Sequence, residues 1–196
     1  MQDIAQIVSL YNEQALDYFD RTAKLDQSEH LSQFVSELPP GAIVVDAGCG
    51  SGRDSVWFLA NGFQVYTYDA CKRLCSMAKG FIGGGHPVAC HMHHELNLKE
   101  KADGIWATAS LLFLSDADLQ AALATFRDNL ADGGLLYASF KKGSGWRFDG
   151  EKWYRDMLLE DADLLTKESG LTLQFAWETS DTLGRGNDWC QFILKK

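Results

Sequence analysis

Apolar residues recur every three or four positions at the start of the chain, and Ile4, Ile7, Val8, Tyr11, Ala15, Tyr18 and Phe19 fall on one face. That spacing predicts an amphipathic helix from about Asp3 to Thr22, continuous or broken once, lying on the domain as a lid. A second helix is expected from Ser28, as its cap, through Leu38, where Pro39-Pro40-Gly41 ends it. The period then changes. Ile43–Ala47 is β-branched and apolar, a buried strand, and Gly52–Asn61 returns to helical spacing with Val56, Trp57, Leu59 and Ala60 toward a core and Asn61-Gly62 as its stop. Gln64–Tyr68 alternates as a second strand ending at Asp69.

The alternation continues. A helix near Cys71–Lys79 leads through Gly83-Gly84-Gly85-His86-Pro87 into a third strand, Val88–Met92, and Gly104–Ala107 reads as a fourth. Asp118–Asn129 is a helix with Leu119, Ala122, Leu123 and Phe126 inward, followed by an Asp132-Gly133-Gly134 turn and a fifth strand, Leu135–Phe140. A loop, a helix around Glu160–Glu168, and strands at Leu171–Thr179 and Cys190–Leu194 complete the chain. Such a succession argues an α/β fold, a doubly wound and mainly parallel sheet with helices on both faces. The last two strands have no helix between them and pair as a hairpin, adding an antiparallel strand near one edge.

With 196 residues and 46% apolar content, the chain is sized for a single domain, a helical cap over 1–38 on a core over 41–196. A formal charge of −9 is the wrong sign for a partner rich in phosphates, so nucleic acid is not expected. One stretch runs against that charge: Lys141, Lys142, Arg147, Lys152 and Arg155 form either a solvated basic loop or a site for an anionic substrate. Neither a leader nor an 18-residue apolar run is visible, which points to the cytoplasm and away from a membrane. The five cysteines contain no C-x-x-C pair and are odd in number, as reduced thiols would be, and Cys71 and Cys75 share a helix face suited to packing.

The candidate chemistry lies at the end of the first strand. Asp46-x-Gly48-x-Gly50-x-Gly52 lets the backbone turn sharply without side chains, so a ligand can lie against it, and the following helix N-terminus favours a carboxylate or other anion. Asp46 adds a negative charge beside that lip, which suits a ligand bearing both an ammonium and a carboxylate. The dinucleotide spacing fails, because Arg53 and Ser55 stand where its third glycine belongs; a nicotinamide-dependent reductase is disfavoured accordingly. Asp69, 21 residues beyond Gly48, is placed to accept hydrogen bonds from ribose hydroxyls. A bare glycine turn and a solvated strand-end aspartate remain the bland alternatives.

These residues resemble class I S-adenosylmethionine-dependent methyltransferases of Rossmann-like fold, and most of all the small bacterial tellurite-resistance-like group. The similarity extends through Tyr11-Asn12-Glu13-Gln14-Ala15, Ala102–Ala107 with Ala109-Ser110-Leu111-Leu112, Leu136–Lys141, and Thr179-Ser180-Asp181 with Trp189. It implies that Gly48, Gly50 and Gly52 hold the methionine moiety of S-adenosylmethionine, flanked by Asp46, Cys49 and Arg53. Asp69 and Ala70 would take the ribose, Met92 and His93 the adenine edge, and Ala109 and Ser110 the methyl group's exit. Tyr11 and Tyr18 would reach the cofactor from the lid, and Ser110, Lys141 and Tyr11 are the catalytic candidates. The implied partner is a small-molecule acceptor, and the implied assembly a monomer or homodimer.

Two departures bear on the acceptor. Where the family usually has a histidine after Ser110-Leu111-Leu112, this chain has Phe113, so a base is absent there; and the late Ser-Asp segment continues to Thr182 and Leu183, with Arg185 a displaced stand-in for the usual arginine. A soft or already anionic acceptor, such as a thiolate, a chalcogen oxyanion or a small acid, needs no base. The alternative is a non-catalytic protein that binds the cofactor or its product as a sensor or partner subunit. Cys90-His91-Met92-His93-His94-Glu95 invites a metal, but on an extended strand His91 and His93 would face one way and His94 the other, and no distant pair completes a tetrahedron, so no metal is expected.

Overall fold

The computed structural model describes residues 3–181, 186 and 188–196. Its N-terminal helix breaks at Gln14 into α1 (Ile4–Glu13) and α2 (Ala15–Thr22); Asp3 caps the first by accepting from the Ala5 amide. Next come α3 (Ser28–Val35), β1 (Ile43–Ala47), α4 (Arg53–Ala60), β2 (Gln64–Asp69), α5 (Lys72–Ile82), β3 (Val88–Cys90), β4 (Ala102–Ala107), α6 (Asp116–Asn129) and β5 (Leu130–Lys142). The chain ends with β6 (Gly145–Phe148), β7 (Trp153–Met157), α7 (Asp163–Thr166), β8 (Thr172–Thr179) and β9 (Trp189–Lys195).

Five strands run parallel in the order β3-β2-β1-β4-β5. β9 lies antiparallel along β5 from Leu135 to Lys141 and carries β8 on its other side. Because neighbouring residues of a strand point to opposite faces, Val44, Trp106, Tyr137 and Ile193 meet Leu31, Phe34 and Phe58 on one side, while Val45, Ile105, Leu136 and Phe192 meet Leu123 and Phe126 on the other. Both faces are covered, as the unbroken apolar strands require. The strand order reverses between β1 and its two neighbours, β2 and β4, which opens a crevice at their carboxyl ends.

Several expectations are corrected. α3 is preceded by Gln27, and the Ser28 amide itself donates to Asp26 at 2.9 Å, so Asp26 rather than Ser28 supplies the capping oxygen. In α4 the inward residues are Asp54, Ser55 and Phe58, whereas Leu59 is 37% exposed, because polar partners in the sheet hold the first turn inward. Strand three stops at Cys90, and His93–Glu95 forms a 3-10 turn, so the alternating arrangement of its histidines does not exist. Asp132-Gly133-Gly134 is absorbed into a long β5 as a register shift. The expected basic loop is a β6–β7 hairpin, joined to β5 by the pairs Lys141↔Asp156 and Lys142↔Met157. Its charges are partnered, Arg147 with Asp156 at 2.5 Å and Arg155 with Asp116. No helix among the described residues is long and apolar enough to cross a membrane.

Candidate active site

The glycine loop is braced from within. Gly48, Gly50 and Gly52 have φ of 81°, 54° and 82°, a left-handed region open to glycine and costly for other residues. A Cβ on Gly48 would stand 2.7 Å from Ser110 Cβ, and one on Gly50 would stand 2.9 Å from the Tyr18 ring. The Gly48 and Cys49 amides both donate to the Tyr68 carbonyl, at 3.0 and 2.9 Å, and the Gly52 amide donates to Cys49. At these positions the loop uses its N–H groups on itself and on β2.

Asp69 completes that bracing. One carboxylate oxygen accepts from the Gly50 amide at 2.9 Å and the other from the Cys71 amide at 2.8 Å, fixing its orientation over the crevice. Burial raises its pKa while these amide bonds oppose the rise. Asp46 is a correction. It is 1% exposed beneath the loop, accepts from the Ser55 hydroxyl at 2.7 Å, and Ser55 continues to Thr67 and His86. Burial, then the nearby Asp54 charge, pushes Asp46 up to about 7. Gly52 likewise faces away from the crevice, toward Ala78 and Ile82 on α5.

Two adjoining chambers lie in the crevice, of about 860 and 1050 Å³ including their open mouths, and Tyr11, Tyr18, Gly48, Ala109 and Phe113 line both and form the waist between them. The first contains Asp69, Ala70, Met92, His93 and Ser110. His93 accepts from the Tyr68 hydroxyl at 2.7 Å through Nδ1 and bonds the Ser110 backbone on its other side; burial, with His91 and His94 nearby, holds its pKa down to about 4, so the ring is neutral at physiological pH. Ala109, the waist residue, has φ 49°, the one positive φ recorded for a non-glycine among the described residues. The Ser139 hydroxyl clamps it by accepting from its amide at 2.8 Å. Ser110 Oγ is buried without a hydrogen-bond partner among the described residues.

The second chamber is the more polar, lined by Cys49, Arg53, Asp54, His30, Tyr137, Ser139, Lys141 and Tyr154. Arg53 grips Asp54 through Nε at 2.6 Å and Nη2 at 2.9 Å, and Trp106 Nε1 donates to the same carboxylate at 2.8 Å. Tyr137 donates to Gln191 at 2.5 Å, which donates onward to Thr179 at 2.8 Å. Lys141 Nζ lies 3.8 Å over the Tyr154 ring. Phe113 packs between Tyr11 and Tyr154, with ring centres 5.6 and 5.2 Å away, and Tyr18 meets Tyr11 at 5.3 Å. Burial pushes the Tyr18 phenol up to about 12 and raises that of Tyr11. The roof is thus aromatic and uncharged.

Of the cofactor and catalytic candidates read from sequence, all but Asp46 and Gly52 line a chamber, whereas of the basic stretch from Lys141 to Arg155, Lys141 lines one and Lys142, Arg147, Lys152 and Arg155 do not. The three catalytic candidates are divided: Ser110 faces the first chamber, Lys141 the second, and Tyr11 both. Arg185 lies outside the described residues. Sequence reasoning missed Asp54, Trp106, Tyr137, Gln191 and the Tyr154 wall. Asp54 directly follows Arg53 after the glycine motif and was within reach; Trp106, Tyr137 and Gln191 are set by hydrogen bonds across 52 and 54 positions, and Tyr154 meets Phe113 across 41, distances that leave no local pattern.

A methyltransferase domain model matches residues 19–179, from the second helix through β8. No curated protein matches the chain. Among solved structures, the 1,6-didemethyltoxoflavin-N1-methyltransferase of Burkholderia thailandensis, crystallised with its acceptor and S-adenosylhomocysteine, superposes with a TM-score of 0.81 at 20% identity, covering 98% of this chain and 88% of its own. Magnesium protoporphyrin IX methyltransferase from Synechocystis PCC 6803 gives 0.80 at 17% identity, covering 100% of both chains. A TehB-like S-adenosylmethionine-dependent methyltransferase from Corynebacterium glutamicum gives 0.71 at 20% identity, covering 96% and 100%. At such identities these structures establish a shared fold, while the family model rests on this chain's own residues over most of its length. With the glycine loop, the strand-end carboxylate and the divided crevice in the places that model spans, the chain belongs to the methyltransferase domain family.

Proposed function

We propose that the chain binds S-adenosylmethionine across the waist of the crevice and transfers its methyl group to a small acceptor, soft or anionic, in the second chamber. The observation that carries this reading is Asp69, held by the Gly50 and Cys71 amides and lining the first chamber. The residues fit the cofactor. Cβ atoms at Gly48 or Gly50 would fill the cradle, and the orphaned Ser110 hydroxyl adjoins it. Asp69 and Ala70 would hold the ribose, Met92 and His93 the adenine, and Cys49 and Arg53 the amino acid tail. When bound, the cofactor supplies a methyl group already activated by its sulfonium.

The protein's contribution is then alignment and exclusion of water. Tyr11, Tyr18, Phe113 and Tyr154 close the roof with rings that neither give nor take a proton near neutrality. No basic side chain replaces the family histidine at Phe113, which suits a nucleophile that arrives deprotonated or polarisable. Lys141 adds positive charge at the acceptor side, which suits an anion. Calorimetric titration with S-adenosylhomocysteine, S-adenosylmethionine and NADPH tests the cofactor: tight NADPH binding with none to the sulfur pair defeats the proposal. A turnover panel of thiols, chalcogen oxyanions and small acids tests the reaction, and silence across it, with cofactor binding intact, favours the sensor reading that Phe113 motivates.

A further inference from the structure

Three thiols gather around the Asp69–Ala70 peptide, and two of them have no part in the proposed reaction. Cys90, the last residue of β3, is exposed, pairs with Asp69 in the parallel ladder, and directs its Sγ to the Ala70 carbonyl at 3.7 Å. Cys75, on α5, is 7% exposed and directs its Sγ to the Asp69 carbonyl at 3.2 Å and the Ala89 carbonyl at 3.4 Å. The two sulfurs thus bond the adjoining Asp69 and Ala70 carbonyls, and the Cys90 thiol is close enough to Cys75 to act on its titration. Cys71 caps α5 one turn earlier, with its own Sγ accepting from the Leu74 amide at 3.5 Å. An accessible thiol beside a buried one is the arrangement in which a first oxidation on the outside is resolved by a neighbour.

We propose that Cys75 and Cys90 form a dithiol modification site for hydroperoxides at the nucleoside end of the crevice. The Cys90 sulfur takes one oxygen from the hydroperoxide, which is reduced to its alcohol, or to water when it is hydrogen peroxide; the cysteine becomes a sulfenic acid. The Cys75 sulfur then attacks that sulfur, the S–O bond breaks, and the hydroxyl leaves as water with the Cys75 proton. Overall two thiols are oxidised to one disulfide and one hydroperoxide is reduced. Burial raises the Cys75 pKa, which keeps it protonated and makes the exposed Cys90 the first to react.

The bond removes the Cys75 proton from the Asp69 and Ala89 carbonyls and draws the end of β3 onto α5. Ala70 and Cys71, which line the first chamber, sit on that junction, so oxidation narrows the space assigned to adenosine. This consequence rests on the cofactor reading; the disulfide itself does not.

The test uses the full chain treated with a small excess of hydrogen peroxide, followed by thiol counting, non-reducing peptide mapping and titration with S-adenosylhomocysteine. Free thiols are expected to fall from the five of the reduced chain to three, with one linked peptide pair containing Cys75 and Cys90. Dithiothreitol should reverse both this and a loss of affinity on the order of tenfold. Cys75→Ser should stop at a dimedone-reactive sulfenic acid on Cys90, and Cys90→Ser and Cys90→Ala should form no link, each with a melting transition confirming that it folds. A link from Cys90 to Cys71, or irreversible oxidation of Cys90 in the parent chain, overturns the dithiol. A reversible Cys75–Cys90 link without effect on affinity overturns the consequence alone, and absence of binding by the reduced chain overturns the cofactor reading while the mapping still judges the dithiol.

Discussion

Asp69 braces the glycine loop and, in the proposed reading, also takes the ribose, so its removal strikes both. Asp69→Ala leaves the Gly50 and Cys71 amides unpaired and deletes the acceptor proposed for ribose. Charge-assisted bonds of this kind are each worth about 1.5–3 kcal/mol, so affinity for S-adenosylhomocysteine should fall on the order of 100-fold by calorimetry. An unchanged affinity would move the ribose elsewhere. Asp46 makes a different prediction, because its pKa is raised from 3.8 to about 7 in the fold. The folded protein holds a proton that the unfolded chain releases, so the stability this group contributes is complete below pH 4 and drains away as pH rises through 7. Between those limits the folding constant should fall by up to about tenfold per pH unit relative to Asp46→Asn, measured by urea denaturation at pH 5 and 7.5. Asp69 was legible in the sequence because its distance from the glycine loop is set by one helix and one strand; the burial of Asp46 was not, because it depends on Ser55 and Thr67 closing over it.

At the scale of elements, the strands of the sheet were readable wherever apolar runs alternate with glycine turns, from β1 to β5 and in the final hairpin. The reading failed where polar anchors override the apolar pattern. α4 turns Asp54 and Ser55 inward because Trp106 Nε1 and Asp46 wait for them in β4 and β1, which displaces the hydrophobic face by a residue. It failed again at β6 and β7, whose charges resemble a solvated loop until Arg147 meets Asp156 across the ladder. The glycine motif is divided in the same way. Gly52→Ala forces a φ of 82° and a contact of 3.1 Å with Ala78, so it should cost about 1–3 kcal/mol and lower Tm by several degrees while the affinity of the folded protein for S-adenosylhomocysteine stays near its parent value. Gly50→Ala instead drives a methyl into Tyr18 at the waist, and its loss should appear in ligand affinity as well as in melting.

Across the whole molecule, cations stand out against the −9 formal charge where β5 meets its hairpin: Lys141 over one face of Tyr154, Arg147 5.2 Å from the same ring, and Lys152 5.2 Å from Tyr11. In the proposed reading these cations suit an anionic acceptor, and Phe113 leaves the family's histidine position without a base. Phe113→His should therefore extend turnover to protonated acceptors, by roughly 100-fold where a positioned base is the missing element, with a pH profile rising through the imidazole pKa. A flat profile would show that residue 113 does not reach the acceptor. The first chamber's Gly48, Gly50 and Asp69 follow from spacing along one loop, helix and strand, whereas the second chamber's wall is assembled from α1, the Phe113 turn, β5 and β7, and no short window of sequence contains it. The hairpin pairs with β5 through Lys141 and Lys142, and its further anchors are few: Tyr154 on Phe113, Arg155 on Asp116 and the buried Met157. In the proposed reading, a β6–β7 insert that keeps Tyr154, Arg155 and Met157 and varies the remaining positions would re-specify what is methylated without disturbing the cradle for the methyl donor.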